Sequence, residues 1–221
     1  MTVYLITGAN RGIGLELCRQ LKKRNDEVIA TCRSSSSELN ELEIKIESGI
    51  DLTSNSSILK LKQKLKGVKI DVVIQNAGIA DNNCLENLSA ESIRHQFEVN
   101  ALGPLIFLRS MLGNLNSGSK VILISSRMAS IADNTSGGSY GYRMSKVALS
   151  MAGKSLSIDL KPHGISVAIL HPGLVSTRMT GFNPNGITTE KSVIGLLQRI
   201  DSLTLDSSGN FWHSNGEILP W

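Results

Sequence analysis

Val3-Tyr4-Leu5-Ile6-Thr7 runs directly into Gly8-Ala9-Asn10-Arg11-Gly12-Ile13-Gly14, a β-prone apolar run followed by a glycine-rich turn and the start of a helical pattern. Glycine at positions 8, 12 and 14 permits a tight turn and lets backbone N–H groups come close to an anion, with Asn10, Arg11 and Ile13 completing the loop. A helix beginning near Ile13 offers its first unpaired N–H groups to that anion, as helix N-termini do for pyrophosphates. The spacing is TGxxxGxG, looser than GxGxxG. Alone it also fits a structural turn, and the strand-turn-helix setting favours a nucleotide.

The alternation continues along the chain. Val3–Thr7, Glu27–Thr31, Asp71–Gln75, Lys120–Ser125 and Ile165–Leu170 read as strands, most of them continuously apolar, as strands buried on both faces are. Gly12–Arg24, Ser54–Lys66, Ala90–Leu112 and Tyr140–Lys161 carry helical periodicity between them. A short strand is expected around Glu47–Ile50, a helix near Thr189–Ser202 and an edge strand near Asn210–Trp212. This β-α-β-α order predicts an α/β fold: one doubly wound parallel sheet flanked by helices, with right-handed crossovers. No internal repeat or linker divides residues 1–221, so one domain is expected. Ser34-Ser35-Ser36-Ser37 reads as a polar loop or helix start.

Composition agrees with one buried domain: 221 residues, 41% hydrophobic, 19% charged and 4% aromatic, leaving the core to Ile, Leu, Val and Ala. The net charge of +4 is spread out except at Lys22-Lys23-Arg24, which fits the C-terminal end of a helix better than a nucleic-acid site. Cys18, Cys32 and Cys84 have no metal-ligand or CxxC spacing and read as reduced thiols. No basic leader precedes Val3 and no apolar run is long enough to span a bilayer, so a cytoplasmic protein is expected, without membrane or nucleic-acid partners. His95, His163, His171 and His213 share no metal-ligand spacing and read as surface or satisfied structural residues; no metal is expected. Met144 and Met151 read as core or interface fillers.

Tyr142 and Lys146 stand four residues apart in Gly141-Tyr142-Arg143-Met144-Ser145-Lys146, on one face of a helix with Cβ atoms about 5–6 Å apart. A lysine so placed can stabilise the phenolate and lower the tyrosine pKa, enabling proton exchange near neutrality. An isolated pair of this kind is usually just a solvated helix surface; the glycine loop makes it redox chemistry. At the end of the second strand, Thr31-Cys32-Arg33-Ser34 carries no acid for a ribose 2′-hydroxyl. Arg33 and Arg11 can instead pair a 2′-phosphate, which favours NADPH over NADH.

In order along residues 3–180, Thr7–Gly14, Asp51-Leu52-Thr53, Asn76-Ala77-Gly78, Asn100, Ser126, Tyr142/Lys146 and Pro172-Gly173 with Thr177 resemble the motif series of short-chain dehydrogenases/reductases, whose fold is of Rossmann type. The Ser136–Tyr140 approach and the Gly216–Trp221 ending resemble sniffer-type carbonyl reductases and C-factor-like proteins. The resemblance implies Tyr142 as general acid toward a carbonyl oxygen, and Lys146 lowering its pKa while holding the nicotinamide ribose. It implies Ser126 donating to the same oxygen, with Ser125 the rival, and Asn100 kinking its helix and positioning a water between Lys146 and solvent. It further implies Asp51 at the adenine edge beside Leu52 or Thr53, Asn76-Ala77-Gly78 along the cofactor, and Thr177 at the carboxamide after the Pro172-Gly173 turn that includes Val175.

Gln75 and Ala129 depart from the family pattern without removing a reacting group, and Asp133–Gly138 lengthens the loop before Tyr142. Residues 178–202 read as the substrate-covering segment, with Arg178–Thr189 short enough to imply an open cleft. The expected function is an NADPH-dependent carbonyl reductase for an aldehyde or ketone. The alternatives are a dinucleotide-binding regulatory protein of C-factor type and an NAD-dependent alcohol dehydrogenase. A homodimer through Ala90–Leu112 and Tyr140–Lys161 is expected.

Overall fold

The computed structural model describes residues 1–221. Seven strands form one sheet: β1 (Val3–Thr7), β2 (Glu27–Thr31), β3 (Lys45–Glu47), β4 (Val72–Gln75), β5 (Lys120–Ile124), β6 (Ser166–His171) and β7 (Phe211–His213). All neighbours are parallel, in the order β3-β2-β1-β4-β5-β6-β7. The connecting helices are α1 (Gly12–Lys23), α2 (Ser37–Asn40), α3 (Asn55–Lys64), α4 (Ala90–Phe97), α5 (Gly103–Met111), α6 (Tyr140–Asp159) and α7 (Thr189–Ser202). The chain winds outward from β1 to β3, then crosses back to β4 on the other side of β1. That reversal opens a crevice at the carboxyl ends of β1 and β4, where ligands of open α/β sheets bind.

Alternation along each strand divides the interior in two. Leu5, Ile29, Val73, Val121 and Ile169 face a layer with Leu61 of α3, Phe107 of α5 and Leu149 of α6. Tyr4, Ile6, Val28, Ile74, Ile122 and Leu170 face the other, with Leu17 and Leu21 of α1 and Leu196 of α7. Leu5, Ile6, Ile29 and Ile74 are wholly buried, each stabilising the fold by about 1.5–3 kcal/mol relative to an exposed side chain.

The structure moves one expected strand, decides the open reading of the serine run in favour of a helix start, and breaks one expected helix. The third strand lies at Lys45–Glu47 rather than Glu47–Ile50, because Gly49, with φ +76°, turns the chain just beyond it. The serine run begins a short helix: Ser36 Oγ caps α2 by accepting from Leu39 N–H at 3.2 Å. Ala90–Leu112 is not one α-helix, since a π-helical turn at Glu98–Leu102 separates α4 from α5. Pro104 supplies the reason: without an N–H it leaves the carbonyl of Asn100 out of the i→i−4 ladder.

Candidate active site

The β1 and β4 ends are laced together. Thr7 Oγ1 accepts from the N–H groups of Asn76 and Ala77, both at 3.1 Å, and Asn76 Nδ2 donates to the carbonyls of Thr7 (3.0 Å) and Gly8 (3.1 Å). This approach needs glycine: Gly8 has φ +68°, and a Cβ there would lie 2.8 Å from Ala77 Cα. Asn10 Nδ2 donates to Ser34 O at 3.0 Å, tying the glycine loop to the chain after β2. Arg11, extended, provides no side-chain cap to α1, and the N–H groups of Gly12, Ile13 and Gly14 have no backbone partner. An uncapped helix start beside a glycine cradle has the chemistry to hold a pyrophosphate.

A cleft of about 1250 Å³ runs along the carboxyl ends of the strands, larger than the roughly 300–1,000 Å³ typical of drug-sized ligands. Arg33 and Asp51 line one end, Gly8, Asn76 and Gly78 the middle, and Tyr142, Lys146 and Thr177 the other. The site residues Asn10, Arg11, Gly12, Ile13, Leu52, Ala77 and Pro172 also line it. Gly14, Asn100, Ser126, Gly173 and Val175 stand behind that surface. Gly14 packs inward against Gly8 and Asn76, and Val175 bridges to Ile187.

Tyr142 and Lys146 lie in the first two turns of α6. Lys146 is 4% exposed. Its Nζ donates to Ile124 O at 2.8 Å and lies 5.9 Å from the Tyr142 ring centroid. Burial draws its pKa down to about 8. Ser125 and Ser126 divide as alternate strand-end side chains do. Ser125 Oγ is engaged in the interior, 2.9 Å from Ser150 Oγ and donating to Lys146 O at 3.3 Å. Ser126 caps the following turn, accepting from Met128 N–H at 3.2 Å, and its hydroxyl lies near enough to the Tyr142 phenol to act on its pKa.

The tyrosine pKa departs from the sequence reading. Burial pushes the Tyr142 phenol above its usual value, and the opposing influence is the nearby Ser126 hydroxyl rather than Lys146. Desolvation outweighs any help from the lysine, whose ammonium is directed at Ile124 O. Asn100, wholly buried, accepts from Ile79 N–H and donates to Ile79 O, both at 2.8 Å, and donates to Ser145 Oγ at 2.9 Å. It thereby holds the chain after β4 against α6. A Cβ on Gly78 would approach Asn100 Oδ1 at 3.2 Å and Lys146 Nζ at 3.4 Å, so these groups converge.

At the other end, Asp51 accepts from Thr53 N–H at 2.9 Å and from its hydroxyl at 2.7 Å. Those bonds, aided by Arg33 and His95, hold its carboxyl below the usual range. Arg11 and Arg33 are exposed and take part in no ion pair.

The sequence reading named neither Glu38 nor His95 as site residues and took in Arg178, Met179 and Phe182 only as part of the substrate-covering segment; all five line the cleft. Only folding brings Glu38 and His95 there; the apolar residues beyond Thr177 were a signal for the last group. One structural reading is corrected and one is narrowed. His171 Nδ1 is buried without a partner, its ring 4.9 Å from that of His213, so it is not a satisfied polar residue. Met144 and Met151 are 53% and 65% exposed, so of the core and interface readings only the interface one stays open. No group of three or more His, Cys, Asp or Glu side chains is arranged to hold a metal. Beside the catalytic-loop candidate, Arg127 pairs with Asp133 (2.9 Å) and Glu217 (3.0 Å), and Arg143 Nη2 donates to Ser136 Oγ at 2.8 Å, pinning the long loop before α6.

A parallel sheet with this reversal, a glycine cradle and a Ser-Tyr-Lys cluster at one end define a dinucleotide-dependent oxidoreductase architecture. The short chain dehydrogenase family model matches residues 2–186, and the chain belongs to that family, whose members bind nicotinamide dinucleotides. The chain is 42% identical over 226 residues to 1-hydroxy-2-glutathionyl-2-methyl-3-butene dehydrogenase of Rhodococcus sp. (strain AD45), covering all of both proteins. It is 43% identical over 155 residues to C-signal of Myxococcus xanthus, covering 69% of this chain and 93% of that protein. Among solved structures, the carbonyl reductase Sniffer of D. melanogaster matches with TM-score 0.92 and 31% identity, and the NADPH-bound carbonyl reductase from chicken fatty liver with 0.91 and 30%; each covers both chains fully. No helix is long and apolar enough to cross a membrane.

Proposed function

We propose that residues 1–221 act as one catalytic unit, an NADPH-dependent reductase of aldehydes or ketones. The observation that carries this reading is that Tyr142 and Lys146 line one end of a crevice whose middle is a glycine cradle, with the Ser126 hydroxyl behind that surface and near the phenol. Bound NADPH supplies hydride to the carbonyl carbon, so that carbonyl, NADPH and one proton give alcohol and NADP⁺. Tyr142 gives the proton to the carbonyl oxygen, and Ser126 donates a hydrogen bond to the same oxygen as charge develops. Lys146 keeps two N–H donors beyond its bond to Ile124 O, and these hold the ribose hydroxyls of the nicotinamide half. The Asn100 carbonyl, outside the helical ladder, accepts from a water that carries protons between Lys146 and solvent.

Gly8, Gly12, Ile13 and Gly14 receive the pyrophosphate, with Asn10 fixing their loop. Asp51 and Leu52 meet the adenine edge, and Asn76, Ala77 and Gly78 line the cofactor's path. Pro172, Gly173 and Val175 bring Thr177 to the carboxamide. Arg11 and Arg33 pair the 2′-phosphate, supported by their place on the cleft wall with no competing carboxylate within ion-pair range. The chicken carbonyl reductase structure contains NADPH, which points the same way. Met144, Met151 and Ile158, spaced by seven on the outer face of α6 and more than half exposed, are the proposed homodimer face.

Following NADPH and NADH consumption with a panel of aldehydes, ketones and diketones tests the reading. Turnover preferring NADPH supports it; dinucleotide binding without turnover of any compound overturns it. Two other readings have a specific observation behind them. The Rhodococcus relative is named for dehydrogenating a hydroxylated glutathionyl compound, which favours the alcohol-oxidising direction, and Glu38 on the cleft wall is the feature most compatible with NAD. Similarity to C-signal favours a regulatory role, in which a biological effect would survive Tyr142→Phe and be lost with Gly12 or Arg33.

A further inference from the structure

The chain between β6 and α7 forms a strap whose ends are fastened together: Ser176 N–H donates to Ile187 O at 2.9 Å and Ile187 N–H donates to Leu174 O at 2.8 Å. Within it, Arg178, Met179 and Phe182 all line the cleft. Phe182 sits in the left-handed region at φ +53°, directly after Gly181 at φ +60°, with its N–H donating to Thr177 O at 2.8 Å. An aromatic residue there is strained, and strain of this kind collects at ligand clamps. Here it places a phenyl ring on the cleft wall with 67% of its surface exposed, near Met179 at 49%. Two uncovered apolar side chains on a cleft wall have the chemistry to receive an apolar body.

Arg178 stands beside them. It is exposed, and its guanidinium takes part in no ion pair and no hydrogen bond with the chain. Arg19, Arg24 and Arg127 each hold a carboxylate, and Arg143 is spent on loop carbonyls and Ser136. The cleft's own carboxylates, Glu38 and Asp51, follow β2 and β3, whereas Arg178 follows β6, with β1, β4 and β5 between. A free guanidinium next to an apolar wall fits a planar carboxylate, which it can bind through two parallel hydrogen bonds.

We propose that Arg178 is a substrate-specificity residue that pairs a carboxylate on the substrate while Met179 and Phe182 cover its apolar body. The substrate class is then an aldehyde or ketone, or the matching alcohol, with an apolar body and an anionic group. This rests on the reductase reading above and narrows it. The rival source of an anion is the dinucleotide itself, because Gly12 faces Thr177, the residue before Arg178.

The test compares 4-formylbenzoate with its methyl ester, which share a reacting carbonyl and differ in the charge. Wild type should favour the carboxylate in kcat/KM by roughly 10- to 100-fold, the range expected of one charge-assisted pair. In Arg178→Met that ratio should fall to near one, and Arg178→Lys should recover part of it. Binding of 4-carboxybenzyl alcohol to the NADP⁺-loaded protein should weaken in Arg178→Met to the same degree. Equal use of both aldehydes by wild type would overturn the proposal. So would a loss in Arg178→Met that is the same for both and matched by weaker NADPH binding, since that assigns the guanidinium to the dinucleotide. If neither aldehyde is turned over but the binding difference persists, the reductase reading fails while the anion site stands; loss of the binding difference fails the anion site.

Discussion

Asn100 holds Ile79 as a neighbouring strand would, its Oδ1 accepting from Ile79 N–H and its Nδ2 donating to Ile79 O, both at 2.8 Å. The same Nδ2 reaches Ser145 Oγ, one residue before Lys146. A side chain in the π-turn thus fixes the chain beyond β4 and the helix that carries Tyr142 and Lys146. In Asn100→Ala, Ile79 and Ser145 lose a buried partner, which should cost about 1–3 kcal/mol in urea unfolding. Turnover should fall by roughly 10- to 100-fold from displacement of Lys146 by a fraction of an ångström to an ångström. Asn100→Asp, which keeps an acceptor but buries a charge, should be no better.

Lys146 gives a pH signature on the alkaline side. Its folded pKa, about 8, lies below the 10.5 of a free lysine because burial penalises the ammonium. Below pH 8 both folded and unfolded chains carry the proton and the penalty is present in full. Between about 8 and 10.5 the unfolded chain binds more protons, so this group's contribution to stability rises with pH, by about 3 kcal/mol across the window. Denaturant unfolding of wild type and Lys146→Met across pH 7 to 11 checks this: the rise should be missing in the variant.

His171 acts on the acid side. Burial first, then His213 and Arg127, draw its pKa from 6.5 to about 3. Between those values the unfolded chain takes up a proton that the folded chain refuses, so stability present above pH 6.5 drains away as pH falls toward 3. His171→Phe should shift the acid-unfolding midpoint downward, as followed by far-ultraviolet circular dichroism; an unchanged midpoint would show that the buried imidazole does not set acid stability.

Arg33 bears on the cofactor. Arg33→Ala should raise KM for NADPH by roughly 10- to 100-fold through loss of a charge-assisted pair, and leave KM for NADH within a few-fold. Steady-state kinetics with both dinucleotides reads the ratio directly. An equal loss for both would place the guanidinium away from the 2′-phosphate.

The sheet and its winding were legible because apolar runs such as Val3–Thr7 and Lys120–Ile124 are buried on both faces and leave no polar alternation to confuse with helix. The helix breaks were less so. The π-turn at Glu98–Leu102 depends on the missing N–H of Pro104 together with the side-chain bonds of Asn100, and periodicity alone reads through it. The proposed reacting groups were visible as Tyr142 and Lys146 at helical spacing, but the balance of forces on the phenol was not. Burial is a property of the packed chain, and it raises the Tyr142 pKa where proximity to a lysine suggested a fall. Glu38 and His95 reach the cleft only through long-range folding, and the left-handed backbone of Phe182 has no sequence signal at all.

Proton delivery by Tyr142 is read most directly by single-turnover NADPH oxidation with a reducible aldehyde in wild type and Tyr142→Phe, alongside NADPH binding to each. A general acid contributes typically about 10²–10⁴-fold. The variant should bind NADPH with nearly unchanged affinity and lose hydride transfer by at least about 100-fold. Hydride transfer at the wild-type rate in Tyr142→Phe, with binding intact, would contradict proton delivery by this residue.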